Sequence, residues 1–343
     1  MRLTAGSIPV LTLATIAVAC GSASHSSAAP HARAAPPSQP AAHCDAYASP
    51  GTGTAQRMVD SLRPGQTGCL HGGDYAGEGY DGYVLRIASG GRRHAPIRVT
   101  SAPGERARLR GIVYIVHGAG RVVLDGIDLD GRHPQQPERS QNSIQVMADH
   151  VTVADSRITN HGTQSCVIIG QGARGTVIRN NTFRDCGDPA NHVLDHSIYV
   201  ASSRRARIVG NVFLRSGGWA VQLYPDAQRT TVARNLMWEN GGGVVFGGDG
   251  PSASNHNLVA DNVIAASKQR PELASSFGGP KGRGNLARDN CLVPGVSAND
   301  PASGFRLTGN RVASGPECLS GAPAGLVGNL QAAAPALVAR LSR

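Results

Sequence analysis

The sequence has few aromatic residues, almost no lysine and no C-x-x-C pair. Phe, Trp and Tyr make up 4% of the chain, and Lys268 and Lys281 are its only lysines, so that arginine supplies the remaining positive charge. Without a C-x-x-C pair, a zinc or thioredoxin-like redox site is not expected. The central part of the chain shows no sustained 3.6-residue hydrophobic period, which argues against leucine-rich or helical repeats there.

The first 43 residues predict export. A basic residue precedes an apolar run, Ile8–Val18, that is too short to span a bilayer, and the following Ala-Cys resembles the end of a bacterial lipobox. We therefore expect residues 1–19 to be a lipoprotein signal peptide and Cys20 to carry the lipid, with ordinary secretory cleavage as the alternative. Residues 20–43, rich in Ala, Ser and Pro, are expected to form a flexible tether. The protein would be lipid-anchored at the outer face of the cell membrane, or secreted.

Six further cysteines indicate disulfide bonds, because an even number in an exported chain is typical of a cross-linked domain. They are Cys44, Cys69, Cys166, Cys186, Cys291 and Cys318. The spacing alone leaves the connectivity open. Proximity in the sequence favours the pairs Cys44–Cys69, Cys166–Cys186 and Cys291–Cys318. The first and last pairs would then stabilise the two ends of the domain.

Short β-branched segments recur through the middle of the chain. CVIIG (166–170), SIYVA (197–201), AVQLY (220–224) and GVVFG (243–247) are each followed, after a turn and a second apolar run, by Asn. Extended both ways, this frame contains Ile127, Ser156, Asn181, Asn211, Asn235, Asn262, Asn290 and Asn310. Periods of this length predict stacked repeats that cannot bury their apolar faces singly. Strands this short favour a coil of parallel strands, with the Asn residues at bends where αL geometry and amide stacking suit them.

Aligning the repeats gives three columns of residues. Two are predicted to face inward, one of them Val113, Ile144, Val167, Ile198, Val221 and Val244, the other Ile115, Val146, Ile169, Val200, Leu223 and Phe246. Because side chains alternate along a strand, the column between them should face outward. It contains Tyr114, Gln145, Ile168, Tyr199, Gln222 and Val245.

With these repeats the chain resembles the right-handed parallel β-helix proteins of pectate-lyase-like architecture, and more narrowly the secreted β-helix repeat proteins of high-GC actinobacteria. The stretches SLRPGQTGCL (61–70), DHSIYVASS (195–203), VQLYPDAQRTTVARN (221–235) and GGGVVFGG (241–248) carry the resemblance. It implies an all-β fold, a right-handed parallel β-helix of about eight to ten rungs over residues 44–312. Thr54–Leu62, with Thr54 as its cap, predicts a short helix closing the N-terminal end. Residues 313–343 are expected to form a C-terminal cap or poorly ordered tail, with a weak helix near Leu337–Leu341.

The net charge of +10 favours an acidic polysaccharide or wall polymer as partner. Nucleic acid is not an expected partner, because the chain is predicted to be exported and has no motif of basic and aromatic residues that is typical of nucleic-acid binding. We expect a monomer.

The richest chemistry lies between Cys186 and Asp226. We predict His196 as a base, Asp195 as the group that orients it and Tyr199 as an acid. Saccharide contacts are predicted at Trp219, Gln222, Tyr224, Arg184 and Arg215. Oxygen ligands for Ca²⁺ would come from Asp188, Asp195 and Asn191.

Three functions remain open from the sequence. The first is a lyase or epimerase that abstracts the proton α to a uronate carboxyl of an acidic polysaccharide. The second is a non-catalytic carbohydrate-binding protein, and the third a structural protein of the cell envelope. The sequence lacks the lysine and arginine pair of the Ca²⁺-dependent lyases, the Asp-Pro-His-Glu run of the mannuronan epimerases and the aspartate cluster of the inverting pectin hydrolases. No catalytic role is therefore carried over from those families.

Overall fold

The computed structural model describes residues 43–139, 141–170, 172–275, 279–293, 295, 305–313, 317–320, 328 and 331. The predicted signal peptide, Cys20, nearly all of the tether and most of the C-terminal tail, including a helix expected near Leu337–Leu341, lie outside these residues. In the described part of the chain, no helix is both long and apolar enough to cross a membrane.

Three parallel sheets, A, B and C, run the length of a coil of about nine turns, which confirms the predicted all-β solenoid. Numbered in chain order, the strands of sheet A are β1 Ala46–Ala48, β3 Thr67–Leu70, β6 Ile97–Ser101, β9 Val122–Asp125, β12 Thr152–Ala154, β15 Val177–Arg179, β18 Arg207–Val209, β21 Thr231–Ala233, β26 Leu258–Ala260, β29 Asn285–Arg288 and β31 Phe305–Thr308. Those of sheet B are β2 Gly51–Thr52, β4 Gly73–Ala76, β7 Ala107–Arg110, β10 Asp128–Asp130, β13 Arg157–Thr159, β16 Thr182–Arg184, β19 Val212–Leu214, β22 Leu236–Trp238, β27 Val263–Ala265, β30 Cys291–Val293 and β32 Arg311–Val312. Those of sheet C are β5 Tyr83–Ile87, β8 Ile112–Ile115, β11 Ile144–Val146, β14 Val167–Ile169, β17 Ile198–Val200, β20 Trp219–Leu223, β23 Gly242–Phe246 and β28 Leu273–Ser275. A small antiparallel hairpin pairs β24 Gly248–Asp249 with β25 Ser252–Ala253.

Both predicted inward columns are confirmed. Each strand of sheet C pairs in register with the next, so that Val167 lies beside Ile198 and Ile198 beside Val221. All twelve residues of the two columns are fully buried in one continuous core. Phe183 and Phe213 of sheet B extend this stacking with ring centroids 4.7 Å apart. Because adjacent rungs are about 4.8 Å apart, aliphatic side chains on successive turns remain in van der Waals contact along the whole stack.

The outward column has the predicted register, but its last member does not face solvent. Val245 is only 2% exposed and packs with Trp219 and Ala274 in a small separate apolar cluster. Tyr199 and Gln222, by contrast, lie side by side and are partly exposed. The solvent-accessible part of the sheet C face is therefore shorter than the sequence pattern implies.

The asparagines form a buried hydrogen-bonded ladder between sheets A and B. The backbone N–H and Nδ2 of Asn181 both donate to Oδ1 of Asn211, at 2.9 and 3.1 Å, and Nδ2 also donates to the carbonyl of Val153. The same contacts continue through Asn235, Asn262, Asn290 and Asn310. Amide stacking between rungs is thus present as predicted, and every rung supplies the acceptor that the preceding rung needs.

The αL geometry falls on the residue before each asparagine, which corrects the sequence prediction. Asn180, Arg234 and Asp261 have positive φ, and Gly126, Gly210 and Gly309 occupy the equivalent position on other rungs. A side chain at the αL position points away from the core, whereas the next residue turns its amide inward. The sharp bend and the buried amide are therefore two separate requirements met by neighbouring residues.

The helix α1, Thr54–Ser61, has the expected position but a different cap. Gly53, in αL geometry, is the N-cap residue and makes no side-chain cap, while the hydroxyl of Thr54 donates to the carbonyl of Ser49 at 2.7 Å. The helix buries Ala55, Met58 and Val59 in the core. Its role in closing the end of the coil stays a prediction. The 3₁₀ helix Pro189–Asn191 and the short helix α2, Glu317–Ser320, lie further along the chain.

Three disulfides confirm the pairing expected from sequence proximity. Cys44–Cys69, Cys166–Cys186 and Cys291–Cys318 have Cα separations of 5.7, 5.4 and 5.5 Å. Cys69 lies in β3 and Cys291 in β30, whereas Cys166 and Cys186 lie beside β14 and β16. Loops of this length contribute about 3 kcal/mol each by restricting the unfolded chain.

We predict that Asn211→Ala lowers the free energy of unfolding by about 3 kcal/mol, because it leaves the buried N–H and Nδ2 of Asn181 without their acceptor. Urea unfolding followed by circular dichroism measures the change. Asn180→Gly is the matched control, since it alters the adjacent exposed αL residue and should change stability by less than about 1 kcal/mol. Equal losses in the two variants would contradict the proposed contribution of the ladder.

Candidate functional site

A group of polar and aromatic side chains converges on the outward face of sheet C around β17, β20 and β23. We call it the tyrosine cluster, and it consists of His196, Tyr199, Gln222, Tyr224, Asp249 and Arg270. The pairing of β17 with β20 places Tyr199 beside Gln222, as the sequence predicts, and Tyr224 follows directly after β20. The regular rung spacing therefore brings residues more than twenty positions apart in sequence into one group.

His196 is buried at the edge of this cluster and is neutral. It is 1% exposed, its Nδ1 accepts a hydrogen bond from the backbone N–H of Trp219 at 3.2 Å, and its side chain is also hydrogen-bonded to Gln222. Burial lowers the pKa of His196 to about 3, and the nearby positive charge of Arg270 acts in the same direction. Since Nδ1 accepts, the single proton of the neutral ring lies on Nε2 and faces Gln222. Both ring nitrogens are thus engaged within the protein.

Tyr199 lies next to His196, with ring centroids 6.2 Å apart. Burial raises the pKa of the Tyr199 phenol, and the charges that Tyr224 and Asp249 carry when ionised raise it further. Tyr199 therefore remains protonated around neutral pH and has a proton to donate.

Tyr224 is hydrogen-bonded to Asp249 of the β24–β25 hairpin, and burial and this carboxylate both raise its pKa. A phenol that donates to a carboxylate keeps a lone pair free on its oxygen. Tyr224 can therefore accept a proton on that oxygen while it passes its own hydroxyl proton to Asp249. Asp249 is not among the site residues predicted from the sequence. Its signal, an Asp between two glycines in a turn, is common and does not indicate a site.

Trp219 lies beneath the face rather than on it. It is 2% exposed, and its ring packs directly on Gly242, where an added Cβ would come within 2.5 Å of the indole. The same Cβ would come within 2.9 Å of Cβ of Arg270, which places this second unforeseen residue over the same strand. Arg270 belongs to the turn before β28, a segment without repeat periodicity in the sequence.

The loop before β17 holds Asp195 away from the imidazole of His196. The carboxylate of Asp195 accepts a hydrogen bond from Nδ2 of Asn191 at 3.0 Å, and burial raises its pKa. The loop packs closely on Gly217 and Gly218, where a Cβ would meet backbone atoms at 2.2 to 2.6 Å. Asp195 therefore fixes the loop and does not orient His196.

The predicted calcium ligands do not form a calcium site. Asp188 accepts from the backbone N–H of Ala190 at 2.8 Å, and Asp195 is engaged by Asn191. Within the described residues, no three His, Cys, Asp or Glu side chains are grouped so that they could hold a metal ion. Ca²⁺ prefers six to eight oxygen ligands, so these residues do not fit it.

Arg184 and Arg215 lie with sheet B and not with the tyrosine cluster. The guanidinium of Arg215 forms two hydrogen bonds to Asp185, at 3.0 and 3.2 Å. Arg184 lines a groove of about 710 Å³ on the outward face of sheet B. Positive charges in this groove are balanced by neighbouring carboxylates, as in the Arg106–Asp128 pair at 2.7 Å. The groove offers less net charge to an anionic ligand than its arginines suggest.

We predict that His196 makes the protein less stable in mild acid. Because its pKa is about 3 when folded and 6.5 in the free side chain, the unfolded chain binds the extra proton between these values. The contribution of His196 to the free energy of unfolding is fully present above pH 6.5 and is lost as pH falls. The loss is about 2 kcal/mol between pH 7 and pH 5.

The test compares unfolding free energies at pH 7 and pH 5 for the wild type and His196→Gln. The variant should lose about 2 kcal/mol less than the wild type over this interval. His117→Gln, at an exposed histidine, is the control and should retain the wild-type difference. An unchanged difference in His196→Gln would contradict the buried neutral state.

Comparison with known proteins agrees with this architecture. Residues 115–264 match the family model described as right handed beta helix region. Among solved structures, an alginate lyase from Paenibacillus sp. str. FPU-7 is similar with 15% identity over 78% of this chain and 96% of that chain, at a TM-score of 0.58. The family 28 exopolygalacturonase of Yersinia enterocolitica is similar with 12% identity over 78% of this chain and 66% of that chain, at a TM-score of 0.51. No curated protein matches the sequence. At these identities the likeness establishes the fold alone, which is a right-handed parallel β-helix.

Proposed function

We propose that this protein acts on an acidic polysaccharide at the cell surface by abstracting the proton α to a uronate carboxyl. The observation that carries the proposal is the tyrosine cluster, in which two phenols, a carboxylate and a guanidinium meet on one face of a parallel sheet. The names of the two similar solved structures, an alginate lyase and an exopolygalacturonase, support a polysaccharide as the class of substrate. Export, lipidation at Cys20 and a monomeric state belong to the same proposal.

The face of sheet C suits an extended polymer. Successive rungs repeat about every 4.8 Å, so a linear chain along the stack meets side chains at regular intervals. Gln222 presents a side-chain amide next to the ring of Tyr199, and a flat ring beside a directional polar group is the usual arrangement for binding a sugar.

The cluster contains the groups needed for proton transfer. Arg270 would neutralise the uronate carboxylate and so acidify the C5 proton. Tyr224 would take that proton while its own proton moves to Asp249. For β-elimination, the C4–O bond breaks as the C4=C5 bond forms, and Tyr199 donates its proton to the departing glycosidic oxygen. For epimerisation, Tyr199 instead returns a proton to C5 from the opposite side.

His196 acts in this scheme as a positioning residue. Its ring is neutral, buried and hydrogen-bonded to the backbone of Trp219 and to Gln222. The proposal therefore assigns proton transfer to the tyrosines and gives the imidazole the role of fixing Gln222.

One observation favours non-catalytic carbohydrate binding as a second candidate. The pKa values of Tyr199 and Tyr224 are both raised, so neither phenol is ionised near neutral pH. A surface of neutral phenols can bind sugars without transferring a proton. The lyase or epimerase and the non-catalytic binding protein therefore differ in whether any bond of the polymer is changed.

We predict that Tyr199→Phe reduces turnover of a responsive uronate polymer by about 10²- to 10⁴-fold with little change in KM, because only the transferable proton is lost. The assay follows ultraviolet absorbance of the new double bond and solvent exchange at C5 over a panel of uronate polymers. Tyr114→Phe, in the same outward column three rungs away, is the matched control and should retain full turnover. Full turnover in Tyr199→Phe would remove this residue from the mechanism. Binding without absorbance change or exchange in the wild type would establish the non-catalytic alternative.

A further inference from the structure

The three corners of the coil differ in charge. On each turn a residue with positive φ marks the bend and points outward. Between sheets A and B these positions include Asp155, Asp261 and Asp289, and between sheets B and C they include Asp185 and Glu239. At the corner from sheet C to sheet A the equivalent residues carry no carboxylate, and they are Arg121, His150, Gly175, Arg205, Arg229, His256 and Gly284.

Arginines are concentrated on three successive turns of this corner. We call them the arginine ridge, and it consists of Arg174, Arg204, Arg205, Arg207 and Arg229. Rung-to-rung backbone bonds fix their stacking, from Gly175 N–H to the carbonyl of Arg204 at 2.9 Å and from Arg205 N–H to that of Gln228 at 2.8 Å. All five side chains are exposed.

The arginine ridge has no ion-pair partner among the residues that the structure describes. Among the described residues, none of its five guanidinium groups takes part in an ion pair, whereas the corresponding αL residue Arg215 is bound by Asp185. The hydrogen bonds of the two carboxylates nearest in sequence come from neutral amides, from the backbone N–H of Arg174 to Asp149 and from the side chain of Gln228 to Asp226. Like charges about one rung apart repel each other, so the ridge gains from any anion that bridges its rungs.

The ridge follows the strands of the tyrosine cluster on the same turns of the coil. Tyr199 is followed on its own turn by Arg204, and Tyr224 on the next turn by Arg229. A polymer lying along the sheet C face would therefore expose its carboxylates to the ridge over at least two turns.

We propose that the arginine ridge binds the carboxylates of a linear anionic glycan and holds it alongside the tyrosine cluster. The class of polymer rests on the proposed function, whereas the anion site rests on the ridge itself. Carboxylate partners suit guanidinium groups because two parallel hydrogen bonds can form at each. The ridge runs across successive turns beside a sheet face that suits an extended sugar chain, which favours a single carboxylated glycan over nucleic acid or a membrane surface.

Affinity electrophoresis in gels containing polygalacturonate or alginate tests the ridge. The double variant Arg205→Gln/Arg229→Gln should bind on the order of tenfold more weakly than the wild type and lose affinity less steeply as salt is raised. The single variant Arg229→Gln is compared with Arg234→Gln. Both residues are exposed arginines with positive φ on the same turn, but Arg234 lies at the corner between sheets A and B. Arg234→Gln should bind as the wild type does.

Equal affinities of wild type and double variant, or equal losses in the Arg229 and Arg234 variants, would overturn the ridge as a binding site. Tighter binding of duplex DNA or of anionic vesicles than of either glycan, again lost in the double variant, would overturn the glycan assignment. The proposed function is tested separately from the ridge, because turnover of uronate polymers is measured independently of glycan affinity. Weaker binding in the double variant with no turnover in the wild type would retain the ridge and remove the enzyme.

Discussion

Every buried amide of the asparagine ladder finds its acceptor one turn away, and this requirement fixes the repeat of the coil from Asn181 to Asn310. Asn211 can satisfy Asn181 only if the two turns stack in register, and the same condition holds from Asn211 to Asn235. Register at one corner aligns the aliphatic columns at the strands, where Val167, Ile198 and Val221 meet in the core. The outward face inherits this alignment, so that Tyr199 and Gln222 become neighbours without any contact selected for that purpose.

Periodicity made the repetitive part of this structure predictable. Alternation along five-residue segments was enough to assign the inward columns, and proximity along the chain was enough to pair the cysteines. The predicted αL position was wrong by one residue. Asn suits both αL geometry and amide stacking, and the sequence alone does not separate the two roles. Thr54 was assigned as a helix cap for a similar reason, since its hydroxyl can also bond to the preceding turn, as it does.

The site was less predictable because its environment comes from segments that do not repeat. His196 and Trp219 lie on adjacent turns, but the loop before β17 and the turn that carries Arg270 bury both of them. Burial converts the expected base into a neutral histidine held by two hydrogen bonds. Asp249 and Arg270, which complete the cluster, lie in an inserted hairpin and an irregular turn. The distribution of unpaired charge was equally hard to predict. Strand register brings arginines of sheet B next to carboxylates, whereas the arginines of the ridge have no such partner among the described residues. The candidate functional residues therefore lie where turns of the coil differ from one another.

The most direct measurement is a crystal structure of the protein with a bound uronate oligosaccharide. The account predicts sugar rings along the outward face of sheet C, in contact with Tyr199, Gln222 and Tyr224, and a chain direction that crosses successive rungs. An oligosaccharide held instead in the sheet B groove beside Arg184, with the tyrosine cluster making no contact, would contradict it.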